Sequence, residues 1–152
     1  REVIAAAELL KQDWGVDADI WGCPSMNELS RNGNDVSRWN LLNPAEKPKL
    51  SHVEACLNDT RGPVIAATDY VRLYSEQIRP FVNRRYVTLG TDGFGRSDTR
   101  EKLRHFFEVN RYWVTLAALK ALADDGEIDR SKVAEAILKY GIDTNKPNPM
   151  SV

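Results

Sequence analysis

The chain has 152 residues, with 21 Lys and Arg against 22 Asp and Glu, for a formal net charge of −1. That length suits one domain able to bury about 68–70% of its unfolded surface without a metal or disulfide staple. Its 42% apolar and 28% charged residues are those of a soluble globular protein and exclude a disordered tail. No apolar run nears the ~20 residues of a membrane span, no signal-peptide core opens the chain, and the balanced charge argues against a nucleic-acid partner. Cys23 and Cys56 stand too far apart for a CxxC redox or zinc motif, and only His52 and His105 are on hand to complete a metal site. Two buried free thiols in the cytoplasm are expected in preference to a disulfide.

In chain order, Val3, Ile4, Ala7, Leu10 and Trp14 recur at helical spacing over Arg1 to Asp13, with Gly15 as the stop. No capping residue precedes Arg1, so the chain reads as beginning inside a structural unit. Val16 to Cys23 alternates apolar and polar residues and predicts a short strand. Ser25 and Glu28 have capping-box spacing and open a helix that Gly33 is expected to end. A second short helix then runs from Asp35 to Leu42. Pro44 and Pro48 mark a loop, and Ser51 with Glu54 repeats the capping-box signature. Val64 to Ala67, after Pro63, is a wholly apolar strand candidate of the kind covered on both faces. Thr68-Asp69 caps a helix expected to reach Arg79, and Tyr86 to Leu89 is the third strand. A glycine-rich turn from Gly90 to Asp98 leads to a helix capped by Ser97 or Asp98. A long helix runs from Arg111 to Ala123, and Asp129 caps a last helix that Gly141 ends. The domain is drawn as residues 1–144, with 145–152 as a C-terminal tail. Strands alternating with helices predict a parallel sheet with helices on both faces, although three strands are few for this length.

No catalytic constellation assembles from these residues. Gly93-Phe94-Gly95 before a helix is an anion-cradle candidate, but it lacks both GxGxxG and a P-loop Lys; a turn whose glycines allow positive φ is the plainer account. Arg96 and Arg100 are placed to receive a carboxylate, from a partner or from Asp92 and Asp98. His105 and His52 have no evident nucleophile or carboxylate partner. Asp17/Asp19 and Asp124/Asp125 read as solvated surface. Phe106, Phe107, Tyr112 and Trp113 form an aromatic cluster suited to core or interface packing. Four Trp in one small domain make an apolar docking surface a second possibility.

Ser25-Met26-Asn27-Glu28-Leu29, Arg38-Trp39-Asn40-Leu41-Leu42-Asn43-Pro44, Ala67-Thr68-Asp69-Tyr70 and above all Leu89-Gly90-Thr91-Asp92-Gly93-Phe94-Gly95-Arg96-Ser97-Asp98-Thr99-Arg100 resemble the C-terminal domain of the homodimeric bacterial pyruvate dehydrogenases. The likeness continues through Phe107-Glu108-Val109 and Tyr140-Gly141-Ile142-Asp143 to Asn148-Pro149. It implies a transketolase-type C-terminal domain: a three-layer α/β/α sandwich on a mostly parallel sheet of about five strands, here lacking the first strand, which lies inside the family's sheet. A gap left there is expected to be filled by strand exchange, by an alternative pairing or by another copy.

The resemblance further implies a parent enzyme that decarboxylates pyruvate oxidatively and passes the acetyl group to a lipoyl acyltransferase component. Its thiamin diphosphate and Mg²⁺ sit on domains upstream, so no catalytic, cofactor or metal residue is carried over to this chain. The expected partners are those upstream domains and the second subunit of a homodimer, with Asp92, Gly93, Phe94, Gly95 and Arg96 as the contact. The chain alone is expected to be inactive. Two alternatives stand beside this: a free-standing interaction module, and the same domain of another 2-oxoacid dehydrogenase or transketolase-type enzyme. One departure is Asn43, where the family pattern has histidine before Pro44.

Overall fold

The computed structural model describes residues 1–152. Seven helices, α1 (Glu2–Trp14), α2 (Met26–Leu42), α3 (His52–Leu57), α4 (Arg72–Glu76), α5 (Arg100–Phe106), α6 (Arg111–Asp124) and α7 (Arg130–Lys139), surround two strands, β1 (Val64–Ala67) and β2 (Tyr86–Leu89). A 3-10 turn at Arg79–Phe81 joins α4 to β2. The strands pair in parallel, in the register Val64 to Tyr86 through Ala67 to Leu89.

Side-chain alternation along β1 divides the helices into two layers. Val64 and Ala66 pack on one core with Val53, Leu57, Ile78, Phe81, Val82 and Tyr86. Ile65, between them, joins the opposite core of Leu10, Ala118, Leu119 and Ala136. Layers of helix, sheet and helix result, as the resemblance implies. In the second layer α6 packs against both α1 and α7, and Leu119 is wholly buried at their meeting point. Burying a Leu in this way stabilises the fold by roughly 1.5–3 kcal/mol. No helix is long and apolar enough to cross a membrane.

Several helix ends lie where the sequence puts them. Gly15 closes α1 in the left-handed region at φ 66°. The Ser51 hydroxyl accepts from the Glu54 N–H while the Glu54 carboxylate accepts from the Ser51 N–H, a complete capping box at the start of α3. Asp129 caps α7 by accepting from the Ser131 N–H.

Other expectations need correction. Val16 to Cys23 is not a strand. It runs without regular structure, no backbone hydrogen bond joins residues 17–24 to any other part of the chain, and Ile20 is 49% exposed. Alternation supplies a face to bury, but a strand also needs a neighbour to complete its ladder. The sheet therefore has two strands, not the three read along the sequence. Gly33 does not end a helix: α2 passes through it as one element. A Cβ there would lie 2.4 Å from the Phe81 ring, so this glycine serves close helix packing.

The helix expected to follow Thr68-Asp69 begins only at Arg72 and ends at Glu76. Its two supposed caps are otherwise engaged, for the Thr68 hydroxyl accepts from the Tyr70 N–H and the Asp69 carboxylate takes Arg104. The cap of α5 is Thr99, whose hydroxyl accepts from the Lys102 N–H, and not Ser97 or Asp98. Both thiols are free as expected, but Cys23 is exposed and Cys56 only half-buried.

Gly33→Ala tests the packing directly. In an ordinary helix interior this change stabilises by about 0.5–1 kcal/mol. Here overpacking against Phe81 is expected to reverse the sign and cost about 1–3 kcal/mol, read as a lower urea midpoint, with partial recovery in the double variant Gly33→Ala/Phe81→Leu.

Candidate functional site

Parallel strands deliver their carboxyl ends to the same edge, where open α/β sheets commonly place their sites. Here the two loops leaving β1 and β2 are tied together by backbone geometry. Thr68 N–H donates to the Leu89 carbonyl at 3.0 Å and Thr91 N–H to the Tyr70 carbonyl at 2.8 Å. Gly90 sits between them, and a Cβ there would lie 2.6 Å from both the Arg72 nitrogen and the Tyr70 oxygen.

Charge fixes each loop a second time. The Asp92 carboxylate accepts from the backbone N–H of Arg72 at 3.1 Å and from its Nε at 2.9 Å. Asp69 accepts two bonds from Arg104. Glu2 lies 3.7 Å from Arg104 and accepts from the backbone and side chain of Arg111, which holds its carboxyl below the usual range through the Arg111 hydrogen bond, against a smaller opposing effect of burial. No pairing for Arg72, Asp69 or Arg104 is legible in the residue pattern alone. The signal available was an acid two or three residues beyond each strand.

The five residues Asp92, Gly93, Phe94, Gly95 and Arg96 divide between root and tip of the loop. Asp92 is turned inward onto Arg72. Gly93 adopts φ +112°, and a Cβ there would lie 2.4 Å from the Pro149 carbonyl oxygen, so the loop and the C-terminal segment fit closely. Phe94 stands out at the tip, 75% exposed, and the Arg96 guanidinium lies 4.4 Å over the Phe106 ring. Neither Arg96 nor Arg100 takes a carboxylate from Asp92 or Asp98: Asp98 accepts from the Thr99 N–H and sits 3.7 Å from Lys102. Residues 145–152 do not hang free, since Lys146 Nζ donates to the Phe106 carbonyl and to Glu108 and Pro149 is buried.

The remaining candidates stay apart. His105 is exposed beside Asn110, and His52 is 3.5 Å from the Cys56 sulfur within α3. Asp17 pairs with Lys11, and Asp124 and Asp125 both face Arg85. The aromatic residues pack edge-on, Phe106 on Phe107, or against Tyr140, which Trp14 and Tyr112 both approach. Asn43 closes α2, its side-chain amide and its backbone N–H both donating to the Trp39 carbonyl.

No group of three or more His, Cys, Asp or Glu side chains converges.

The family model for the transketolase-like TK C-terminal domain matches residues 1–110. The chain belongs to that family. It is 75% identical over all 152 residues to the pyruvate dehydrogenase E1 component of Cupriavidus necator. It is 62% identical over 151 residues to the protein of that name from Pseudomonas aeruginosa and 49% identical over 150 residues to that of Escherichia coli. In each case the chain spans 17% of the relative's length. The small parallel sheet between helical layers is in keeping with this membership.

Behind the site, α4 is fastened to β2 by a buried polar link. Thr88 donates to Glu76, whose carboxylate also takes Arg79, and the Tyr86 hydroxyl donates to the Ser75 carbonyl at 2.8 Å. The Arg79 guanidinium pulls the Glu76 carboxyl from 4.5 down to about 2, aided by Thr88 and opposed by partial burial. A carboxyl lowered on folding contributes stability above its unfolded value and loses it as the pH falls toward its folded one. Relative to Glu76→Gln, the chain is therefore expected to be more stable at pH 7, with the difference in urea midpoint shrinking between pH 4.5 and about 2. A difference constant with pH would contradict this.

Proposed function

We propose that this chain is the C-terminal domain, residues 1–144 with 145–152 as its tail, of a cytoplasmic thiamin-diphosphate-dependent pyruvate dehydrogenase. The parent decarboxylates pyruvate oxidatively and passes the acetyl group to a lipoyl acyltransferase component. The observation that carries this is the 75% identity, without loss at either end, to a protein named pyruvate dehydrogenase E1 component. Thiamin diphosphate and Mg²⁺ belong to the rest of the parent, and the chain alone does not release CO₂ from pyruvate.

The work left to this domain is packing against the upstream domains and against the second subunit of a homodimer. Support comes from the Phe94 tip, an apolar ring held out by a loop whose root is fixed through Asp92 and Arg72. Preorganisation of this kind lowers the entropic cost of association. The stretch at residues 17–24, which makes no backbone hydrogen bond, supports a second contact, in which it pairs with a segment from elsewhere in the parent.

In the parent homodimer, Phe94→Ser is expected to raise the dissociation constant about tenfold or more, since burying a Phe is worth roughly 1.5–3 kcal/mol. Sedimentation equilibrium reads this, and an unchanged constant overturns the contact assigned to Phe94. Pyruvate decarboxylation by the purified 152-residue chain supplied with thiamin diphosphate and Mg²⁺ would overturn the division of labour.

A further inference from the structure

We propose that a cavity beneath the C-terminal segment binds a small carboxylate bearing a neighbouring hydroxyl or amine, and that Met150 is its built-in occupant. The cavity measures about 260 Å³ and opens at the carboxyl end of β2, with Arg72, Gly90, Asp92, Glu108, Lys146 and Met150 in its wall. It is lined by the root of the glycine-rich loop and not by the Phe94 tip, so it is independent of the dimer contact.

Arg72 determines the ligand class. Its Nε is engaged by Asp92, while its Nη2 is turned toward the Met150 sulfur. A thioether is a weak acceptor, whereas a carboxylate matches the planar guanidinium fork with two parallel bonds. A strong donor facing a weak acceptor at the mouth of a polar cavity is an exchangeable arrangement. Across the cavity, Lys146 spends two of its three donors on the Phe106 carbonyl and Glu108. The wall therefore carries two cations, Arg72 and Lys146, and two carboxylates, Asp92 and Glu108. A bare anion gains from the first pair but meets the second. A carboxylate with an adjacent donor satisfies both, its oxygens on Arg72 and its hydroxyl or amine on Asp92 or Glu108.

Met150 is placed to act as the occupant by the chain around it. The Met150 N–H donates to the Asn148 side chain and the Ser151 N–H to the Asn148 carbonyl, making a local turn, and Pro149 rests against Gly93. Only this last turn need lift for the sulfur to leave Arg72. Both the Arg72 and the Met150 side chains are reachable from solvent.

The chain contains two methionines, Met26 and Met150, so methyl-¹³C-methionine labelling gives one signal at the cavity and one remote from it. Glycolate is expected to shift the Met150 signal saturably and leave Met26 in place, with acetate, which lacks the donor, binding more weakly. Arg72→Gln is expected to abolish the saturable shift. By calorimetry, Met150→Ala is expected to bind glycolate about three- to tenfold more tightly, the size of one net hydrogen bond no longer given up. The proposal is overturned by a Met150 signal that does not respond, by an equal response in Arg72→Gln, or by a Met150 signal already at its random-coil position before any addition. Should Arg72→Gln disturb the fold, seen as a moved Met26 signal, the glycolate titration of the unaltered chain and the Met150→Ala affinity still decide.

Discussion

Everything in this molecule hangs on a four-residue parallel ladder. β1 alternates its side chains between two cores, Val64 and Ala66 on one side and Ile65 on the other, so this single strand is the partition between the helical layers. β2 touches both layers as well, α4 on one side and α6 on the other. β2 is anchored to β1 by the ladder and to α4 by the links from Thr88 to Glu76 and from Tyr86 to the Ser75 backbone. The ladder thus positions the loops that leave it, and with them the Phe94 tip and the cavity behind it.

At the carboxyl edge, the same constraint appears as charge. Each loop carries one acid beyond its strand, Asp69 and Asp92, and each acid is met by an arginine from a different element. These pairs are half exposed, so their worth lies less in stability than in direction: they decide which way a loop points. Asp92 bends inward, and two residues later Phe94 is carried outward. Gly93, between them, supplies both the positive φ and the room for the C-terminal segment to lie against the loop. Domain packing and the proposed ligand site therefore draw on opposite faces of one turn.

What the sequence disclosed follows from the range of each signal. Caps and stops are local, so Ser51 with Glu54, Asp129, Gly15 and Gly141 could be read directly, and both strands of the sheet were legible from short apolar runs between turn residues. Gly33 was misread because its reason is the Phe81 ring some fifty residues away, and a tertiary contact leaves no mark in a local window. Thr68 and Asp69 were misread because a capping residue offered two employments takes the one the fold supplies. The stretch from Val16 to Cys23 is the most instructive case. Its alternation is real, but a strand is a relation between two segments, and this one has no partner within the chain. The resemblance to the transketolase-type domain was legible from motifs, whereas the tie from Arg72 to Asp92, which shapes the candidate site, was not.

We propose that the two-stranded sheet of this chain gains a further strand within the full-length pyruvate dehydrogenase parent. Amide hydrogen exchange, compared between the 152-residue chain and the full-length parent, tests it most directly. Slow exchange is expected at the hydrogen-bonded amides of β1 and β2 in both, with amides 17–23 exchanging at the rate of an unfolded peptide in the chain and becoming protected in the parent. Equal protection of residues 17–23 in both would contradict it.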